Sequence, residues 1–510
     1  MRVVLVYRGR YLVRQALELE TLASVLARAG HRVSAVYDPD TFGVTDNVFR
    51  ARALAGRLSS PARLARRVLA ARPGAVVLSL LPQTAGFMAE TARLIREGAR
   101  APIICTGLYP TLSPEAVLER FPGTLVVSGE TEAAVPEVLA LLEQGLNPQG
   151  APNLWWSENN EIRSTPPAPL ADLDALPLPD KDLFAPWVNH SYSYPAMVSR
   201  GCPYRCSYCE ETCLGRRFGP GFFRRKSVSR VMDELVRARK RYRFSEVIFK
   251  DSYLSGDENW LEELMERFRR EIGVPFKCFA TILGFTDRTA GLLARGGCYC
   301  VEFGLQTWNE DLRANVLNRR ETNEDALAAF AACARHGLWY DVDHMFHIPG
   351  ETPEDHQAGA LAYRNLARLN RIKPHFLVYL PGAPILKEGL ARGDLTPETA
   401  AWIAAGADTD FFDQALADPE SARMATGYAN LYKMLPALPR GLVEKLARPD
   451  RAARLARMPQ AVVALFQGAI AMRSRDRRFT LYEKSYPRLA ARSIRMALEG
   501  REPGEDPPAG

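Results

Sequence analysis

The sequence has 510 residues with 47% hydrophobic and 25% charged side chains, the composition of a globular protein with a large core and about three domains. Its net charge of +7 is small for this length and the arginines are spread along the chain, so the charge gives no evidence for nucleic-acid binding. The sequence contains no run of about 18 apolar residues, so no transmembrane helix is predicted. The nine cysteines are odd in number and three are clustered, which favours a reducing cytoplasm over a disulfide framework.

Short apolar runs alternate with helical periodicity in residues 1–148, beginning with a strand rather than a signal peptide. Five strands are predicted, at 2–7, 31–37, 75–80, 102–106 and 125–127. This pattern predicts a doubly wound, Rossmann-like parallel sheet covered by helices on both faces.

Ligands of such sheets bind at the carboxyl ends of the strands. Two loops of suitable chemistry follow predicted strands. Thr106 and Gly107 follow the fourth, and Ser128, Gly129 and Glu130 follow the fifth. Glycine lets the backbone approach a large flat ligand, and the hydroxyls can hydrogen-bond its rim.

The alternation ends near residue 150. Eight prolines between positions 152 and 195 then predict an extended linker, which we place at 149–190.

A cysteine loop follows in the segment SRGCPYRCSYC, where Cys202, Cys206 and Cys209 have C-x3-C-x2-C spacing after an apolar strand. Gly201 and Pro203 break regular structure, so the three thiols lie on one short loop. Three thiolates are one too few to close a tetrahedral zinc site or to ligate every iron of a 4Fe-4S cluster. A cluster held in this way keeps one iron open for a substrate, whereas a zinc loop or metal-free reduced cysteines are the plainer alternatives.

Residues 191–390 again alternate predicted strands and helices, with about six strands, the last of them predicted at 376–380. This pattern predicts a partial (β/α)6 barrel. In the strand VEFGLQ, residues Glu302, Gly304 and Gln306 share the face predicted to point into the barrel. They either line a ligand site or stabilise a polar layer of the barrel. Asp343 and His347 share the more polar face of DVDHMFH and are candidates for the cavity, although a hydrogen-bonded core histidine is the more common role.

The cysteine loop resembles that of the radical S-adenosylmethionine (SAM) enzymes, C-x3-C-x-aromatic-C, with Tyr208 in the aromatic place. The segments TGLYPTLSPE and SGETEAAVPEVL resemble the GG-x-H-P-T-like loop and the GE-x-E segment of the cobalamin-binding radical SAM family. Thr106 replaces the first glycine of that loop, and Tyr109 replaces its histidine. The D-x-H-x-x-G motif is missing, so cobalamin is expected to lack a histidine ligand on its lower axial face.

The resemblance implies a 4Fe-4S cluster on the three cysteines, SAM on the open iron, cobalamin, and an external electron donor of flavodoxin or ferredoxin type. It implies SAM contacts by one aromatic residue and one face of the barrel, namely Tyr208, Asp251, Glu302, Gly304 and Gln306. It implies cobalamin contacts by the two strand-end loops, namely Thr106, Gly107, Ser128, Gly129 and Glu130.

The expected activity is methyl transfer to an unactivated carbon of a small-molecule, natural-product or lipid-like substrate. Two alternatives stay open: a cobalamin-dependent radical cyclase or rearrangement enzyme without methyl transfer, and a non-catalytic iron-sulfur electron carrier. Cys213 extends the loop to a fourth cysteine, and as a ligand it would favour the carrier. Residues 391–500 are predicted to form a helical domain that could cap the barrel mouth, and residues 501–510 a disordered tail.

Overall fold

The computed structural model of the chain describes residues 1–43, 51–406 and 416–499. Within these ranges, one sheet is built from the strands β1 (Arg2–Arg8), β2 (Arg32–Asp38), β3 (Ala75–Ser79), β4 (Ile103–Thr106), β5 (Leu125–Val127), β6 (Leu154–Glu158) and β7 (Glu161–Ser164). Their order is β2-β1-β3-β4-β5-β6-β7. The first five strands pair in parallel, which confirms the predicted doubly wound sheet.

Helices cover both faces of this sheet, as predicted. They are α1 (Arg14–Arg28), α2 (Arg52–Leu58), α3 (Pro61–Ala70), α4 (Ala85–Gly98), α5 (Leu108–Leu112), α6 (Pro114–Arg120) and α7 (Thr131–Glu143). Successive side chains of a strand point to opposite faces of the sheet, so the core has one part on each face. Val3 and Leu5 of β1 pack in the cluster that contains α1 and α7, whereas Val4 and Val6 pack in the cluster that contains α3 and α4.

Part of the predicted linker is a β-hairpin. Strands β6 and β7 pair antiparallel, and β6 extends the sheet beside β5. The turn between them is Asn159-Asn160, both with positive φ (51° and 62°). Asparagine tolerates this left-handed backbone, and a two-residue turn of this kind matches the twist of a hairpin. Because prolines flank the segment on both sides, the sequence pattern favours an extended linker over this short hairpin.

The described residues form a second main sheet of six parallel strands, which confirms the predicted partial barrel. The strands of this region are β8 (Tyr194–Ala196), β9 (Ser199–Arg200), β10 (Arg224–Arg225), β11 (Val247–Phe249), β12 (Phe276–Ala280), β13 (Cys298–Gln306), β14 (Trp339–Phe346) and β15 (Leu369–Phe376). The barrel order is β15-β14-β13-β12-β11-β8, and β9 pairs separately with β10.

The last barrel strand lies earlier in the sequence than the predicted 376–380. Four of the eight residues of β15 are polar and do not alternate regularly with apolar ones, and Pro374 lies inside it, so the segment has neither the apolar run nor the alternation of a strand. Proline is tolerated here because β15 is an edge strand, paired only with β14. The helices between the barrel strands are α8 (Glu210–Phe218), α9 (Val228–Tyr242), α10 (Glu258–Glu271), α11 (Asp287–Gly296), α12 (Asn323–Arg335) and α13 (Pro353–Tyr363).

The C-terminal region is helical, as predicted. Its helices are α14 (Ile385–Arg392), α15 (Pro397–Ala404), α16 (Pro419–Met434), α17 (Arg440–Leu446), α18 (Pro449–Leu455), α19 (Gln460–Ser474) and α20 (Arg477–Glu499). Helix α16 packs on β15 and α13 outside the barrel, and α20 contacts α2 of the first sheet. Among the described residues of this region, those of α14 and α15 share an apolar cluster with Tyr208 of the cysteine loop, and capping of the barrel mouth stays a prediction.

In the described part of the chain, no single helix is long and apolar enough to cross a membrane. The helices α18 and α19, which are joined by a sharp bend, are together long and apolar enough, judged by length and composition alone. The predicted tail at 501–510 lies outside the described residues, and the predicted domain boundaries stay predictions.

Candidate active site

The cysteine loop runs from β9 to α8, and Cys209 is the N-cap residue of α8. Its middle is anchored by Ser207, whose N–H donates to the Leu317 carbonyl (2.9 Å) and whose hydroxyl donates to the Val316 carbonyl (2.6 Å). Gly201 enters the loop with a φ of 84°, and a Cβ there would lie 2.7 Å from a backbone oxygen of Phe222. The loop geometry is therefore set by backbone contacts and leaves the three thiols available.

The thiols of this loop form no disulfide; all nine cysteines, which lie in described residues, are free. Burial raises the pKa of Cys202 to about 12 and also raises the pKa of Cys206 and of Cys209. Buried thiols of this kind become thiolates only beside a strong positive charge such as a metal centre.

Arg319 joins the cysteine loop to the barrel strand that carries the predicted SAM face. Its Nη1 lies 3.6 Å from Cys206 Sγ and 3.3 Å from the Tyr208 hydroxyl. Its Nη2 donates to the Gly304 carbonyl (2.5 Å), and its Nε donates to Glu321 (2.5 Å). Arg319 could not be predicted from the sequence, because it belongs to no motif and meets the loop only through the fold.

The end of β13 carries two features of a polar ligand site. Gln306 has a left-handed backbone (φ 75°), which is strained for a residue other than glycine. Its buried Oε1 has no hydrogen-bond partner in the part of the chain that the structure describes. A Cβ on Gly304 would lie 2.7 Å from Gln306 Nε2. Gly304 is linked to the cysteine loop through Arg319. An orphaned polar atom on the same strand end fits SAM, which offers amino, carboxylate and ribose groups.

Glu302 lies on the same face but is held by two lysines. One carboxylate oxygen pairs with Lys277 and the other with Lys373. Lys277 also lies 3.3 Å from Asp341. Glu302 and Lys277 are 2% and 3% exposed. Glu302 therefore links β12, β13 and β15 through ion pairs. Its contact with SAM stays a prediction.

Asp343 belongs to this charged lumen and lies 3.7 Å from Lys373 Nζ. Burial, and then the charge of Glu302, raise the pKa of Asp343. Burial also lowers the pKa of Lys250 to about 8. The lumen thus contains ionisable groups whose pKa values are shifted toward neutrality, as expected of a substrate-binding site.

His347 is not brought together with Asp343. It follows β14 with a left-handed backbone (φ 65°), and its Nδ1 lies 3.4 Å from the Ser421 hydroxyl of α16. It lines a cavity of about 690 Å³ between the loops after β14 and β15 and the start of α16. The two cavity candidates therefore belong to different sites.

Asp251, a predicted SAM contact, supports the strand that leads to the cysteine loop. Its Oδ1 accepts hydrogen bonds from the backbone N–H groups of Val198 (2.8 Å) and Ser199 (2.6 Å) and from the Ser199 hydroxyl (2.7 Å). Burial raises the pKa of Asp251 to about 6. Its contact with SAM stays a prediction.

The two strand-end loops of the first sheet are brought together, as expected. The Thr111 hydroxyl donates to the Gly107 carbonyl (2.7 Å) and accepts from the Gly129 N–H (3.0 Å). Gly107 needs to be glycine because its φ is 100° and a Cβ would lie 3.0 Å from the Leu80 backbone. The Thr106 hydroxyl instead donates to a carbonyl inside the sheet (3.3 Å).

Gly107 and Gly129 line a crevice that faces α8, which follows the cysteine loop directly. Gln15 Oε1 in its wall and the nearby Ser128 Oγ are buried without a hydrogen-bond partner in the described ranges. Such orphaned atoms fit the amide rim of a corrinoid. The crevice measures about 50 Å³, so a corrinoid enters only if α8 and the loops separate.

Glu130 connects the two sheets. One carboxylate oxygen pairs with Arg200 (3.1 Å) and Arg224, and the other accepts from the Ala171 N–H (2.9 Å). Burial opposes ionisation, but these partners hold the pKa of Glu130 below its usual range. Arg200 immediately precedes the cysteine loop, so the predicted cobalamin contact Glu130 has an observed role in joining the two regions.

His31, the only histidine in residues 1–148, lies at the opposite end of the first sheet. Its Nδ1 is 3.2 Å from the N-terminal amine and 3.7 Å from Glu143. Burial, and then the N-terminal charge, lower the pKa of His31. It is therefore far from the glycine loops.

Two family models match the chain in the expected order. The B12 binding domain matches residues 10–139, and the radical SAM superfamily matches residues 197–360. The first range contains both glycine loops, and the second contains the cysteine loop and β13. These domains imply cobalamin, a 4Fe-4S cluster and SAM as cofactors.

Two curated relatives are named as methyltransferases. An uncharacterized methyltransferase of Pyrococcus horikoshii is 26% identical over 278 residues, 53% of this chain and 59% of that protein. Cytidylyl-2-hydroxyethylphosphonate methyltransferase of Streptomyces wedmorensis is 28% identical over 214 residues, 39% of this chain and 38% of that protein. The chain thus matches less than two thirds of the length of either relative.

Among solved structures, the radical SAM methyltransferase TsrM from Kitasatospora setae, with cobalamin and a 4Fe-4S cluster bound, aligns with a TM-score of 0.62. The alignment covers 90% of this chain and 99% of that chain at 17% identity. At this identity the likeness is one of fold.

Replacing Cys202, Cys206 and Cys209 together by Ala is expected to abolish the visible absorbance and the reduced-state EPR signal of the 4Fe-4S cluster, because only these thiols share the loop. Circular dichroism should show a folded protein. Cys333→Ala, a buried cysteine on α12, is the matched control and should retain the cluster. A full complement of cluster iron in the triple variant would contradict the assignment.

Cys213→Ala is expected to retain both the cluster and SAM cleavage to 5′-deoxyadenosine. Cys213 lies within α8 and packs, like Tyr208, against an apolar cluster, and a fourth thiolate would occupy the iron that SAM needs. Iron analysis and chromatography of the nucleoside product check this. Loss of cluster iron from this variant alone would favour the electron carrier.

His31→Ala is expected to leave the EPR spectrum of bound cob(II)alamin unchanged and free of nitrogen splitting from an imidazole, because His31 lies at the wrong end of the sheet. Nitrogen splitting that disappears in the variant would show that His31 is the cobalt ligand. Failure of the wild type to bind any corrinoid would refute cobalamin binding by the first sheet.

Proposed function

We propose, from the chain's membership of the cobalamin-binding radical SAM family, that it is a methyltransferase that acts on an unactivated carbon of a small-molecule, natural-product or lipid-like substrate. Both curated relatives described above are named as methyltransferases. The function requires a cluster and SAM beside a corrinoid, and the observation that carries the proposal is the proximity of the two loops that would hold them.

That proximity is seen in one apolar cluster. Leu112, at the end of the helix after Gly107, packs against the same cluster as Tyr208 of the cysteine loop. The cluster includes Leu312 and Val316 from the turn before Arg319, and residues of α14 and α15. The first sheet therefore presents its glycine loops to the cysteine loop across a water-poor contact, which suits transfer between two cofactors.

The chain's own residues would hold the cofactors, which when bound supply hydrogen abstraction and a transferable methyl group. Cys202, Cys206 and Cys209 would ligate the cluster. Gly304 and Gln306 would approach SAM, with Arg319 as a fixed positive charge between them and Cys206. The carboxyl-end loops at Gly107 and Gly129 would face the corrin ring.

The charged lumen beside Gly304 is the proposed place for the substrate. Lys373 is 41% exposed there and pairs with Glu302, while Asp343 lies 3.7 Å from Lys373. These groups can orient a polar substrate so that one carbon faces SAM, and such positioning is the main protein contribution in cofactor-driven chemistry. Radical chemistry also needs water excluded, which α14 and α15 favour by covering the apolar cluster.

The reaction requires electrons from an external donor of flavodoxin or ferredoxin type, and we place it in a reducing cytoplasm. The nine free cysteines support that compartment.

Radical cyclisation or rearrangement without methyl transfer uses the same cofactors, so the product must distinguish it. The test is an anaerobic assay of the reconstituted enzyme with SAM deuterated in its S-methyl group and metabolites from a deletion strain. A methyltransferase is expected to yield 5′-deoxyadenosine, S-adenosylhomocysteine and a deuterium-labelled product one methylene heavier than its precursor.

Two variants show which products depend on the cluster site and which depend on the corrinoid site. The triple cysteine variant should form none of the three products. Gly107→Val, which places bulk 3.0 Å from the Leu80 backbone, should keep the cluster absorbance but lose corrinoid and labelled product. An unlabelled product of unchanged formula, formed with 5′-deoxyadenosine, would replace methyl transfer by rearrangement. A cluster that never cleaves SAM would favour the electron carrier.

A further inference from the structure

Three metal-ligating side chains meet at one buried point outside the barrel lumen. They are His344 on β14, Glu351 in the following loop and His356 on α13. One ligand atom from each lies within 4.8 Å of the other two. His344 is on the strand face opposite Asp343, so this group is separated from the charged lumen by the sheet itself.

Each of the three side chains has a buried atom without a partner. His344 Nε2, Glu351 Oε1 and His356 Nδ1 make no hydrogen bond to any described residue. The residues His344 and His356 are 1% and 5% exposed, and the Glu351 side chain is 4% exposed. An unsatisfied polar atom in such a place is destabilising, and three that converge on one point indicate a shared ligand.

Direct hydrogen bonding does not satisfy these atoms. His356 Nδ1 and Glu351 Oε1 are 3.6 Å apart, which is beyond hydrogen-bond range. That separation leaves space for an ion bonded to both, since Zn–N and Zn–O bonds are about 2.0–2.2 Å long.

The second ring nitrogen of His344, the second carboxylate oxygen of Glu351 and the backbone carbonyl of His356 are held by neighbours. His344 Nδ1 lies 3.0 Å from the Tyr363 hydroxyl. If the ring donates its proton there, Nε2 is left as a lone pair, as in most metal-bound histidines. Glu351 Oε2 accepts from the Ile348 N–H (3.3 Å), and the Tyr432 hydroxyl donates to the His356 carbonyl (2.7 Å). The unpartnered atoms of His344 and Glu351 are thus oriented before any ligand arrives.

We propose that His344, Glu351 and His356 bind one divalent transition-metal ion through two imidazoles and one carboxylate. These donors suit Zn²⁺ or Fe²⁺. Glu351 and His356 also line the cavity of about 690 Å³, which provides an entry path and a water for the fourth position. The ion would fasten the loop after β14 to α13, and it would be independent of the cysteine loop and of the proposed methyl transfer.

The test measures metal directly, without SAM or substrate. Reconstituted holoenzyme is incubated with Zn²⁺, passed through gel filtration and analysed for zinc and iron by mass spectrometry. Wild type is expected to retain one zinc per chain in addition to its cluster iron. Glu351→Gln and His356→Gln should lose the zinc and keep the iron. His336→Gln, which removes the imidazole at the C-cap of α12 that pairs with surface Asp287, is the matched control and should behave as wild type.

A more conservative variant tests the site without replacing any of the three proposed ligands, so that loss of zinc through misfolding is avoided. Tyr363→Phe removes only the hydroxyl beside His344, and competition with a chromophoric chelator should show zinc affinity about 10–100-fold weaker than wild type. Unchanged affinity in Tyr363→Phe, together with zinc retained by Glu351→Gln, would overturn the assignment. So would a wild type that retains no divalent ion beyond its cluster iron.

Discussion

The candidate site depends on a buried guanidinium. Arg319 is 10% exposed and binds four groups, of which Cys206 and Tyr208 lie more than 100 residues before it and Gly304 lies on the adjacent barrel strand. Glu321 balances its charge. Loss of one partner from a buried pair costs about 3–5 kcal/mol, because the other charge is left uncompensated. The cysteine loop and the predicted SAM face are therefore fixed relative to each other by one side chain that cannot easily move.

A second buried charge system fixes the barrel around them. Glu302 of β13 pairs with Lys277 of the neighbouring strand β12 and with Lys373 of β15, which lies two strands away on the other side. Lys277 also reaches Asp341 of β14. These pairs hold four neighbouring strands in register at the level where the lumen opens. The same groups are the polar surface available to a substrate, so rigidity and recognition are supplied by one set of residues. Pre-organised charges of this kind need no rearrangement when a ligand binds.

The sequence predicted what depends on local pattern. Alternation in 1–148 and 191–390 indicated both parallel sheets, and three cysteines at fixed spacing indicated the cluster loop. It could not predict features that need tertiary contacts. Arg319 belongs to no motif, and Asp251 and Glu130 have carboxylates already held by backbone and arginine donors. The His344 group is invisible because its ligands follow no regular spacing and one of them lies on the outer face of a strand.

The relation between the two sheets also constrains the chemistry. Glu130 follows the fifth strand of the first sheet and pairs with Arg200, the residue before Gly201 at the entrance of the cysteine loop. Any movement of α8 away from the glycine loops, which a corrinoid requires, therefore has to occur while this pair anchors the other end of the loop. The end of α8 near Cys209 is fixed through Ser207 and Arg200, whereas the far end is held by side-chain packing, in which Phe218 contacts Gly129 and stacks on Phe222. Corrinoid binding is thus expected to displace the C-terminal end of α8 and to leave the cysteines in place.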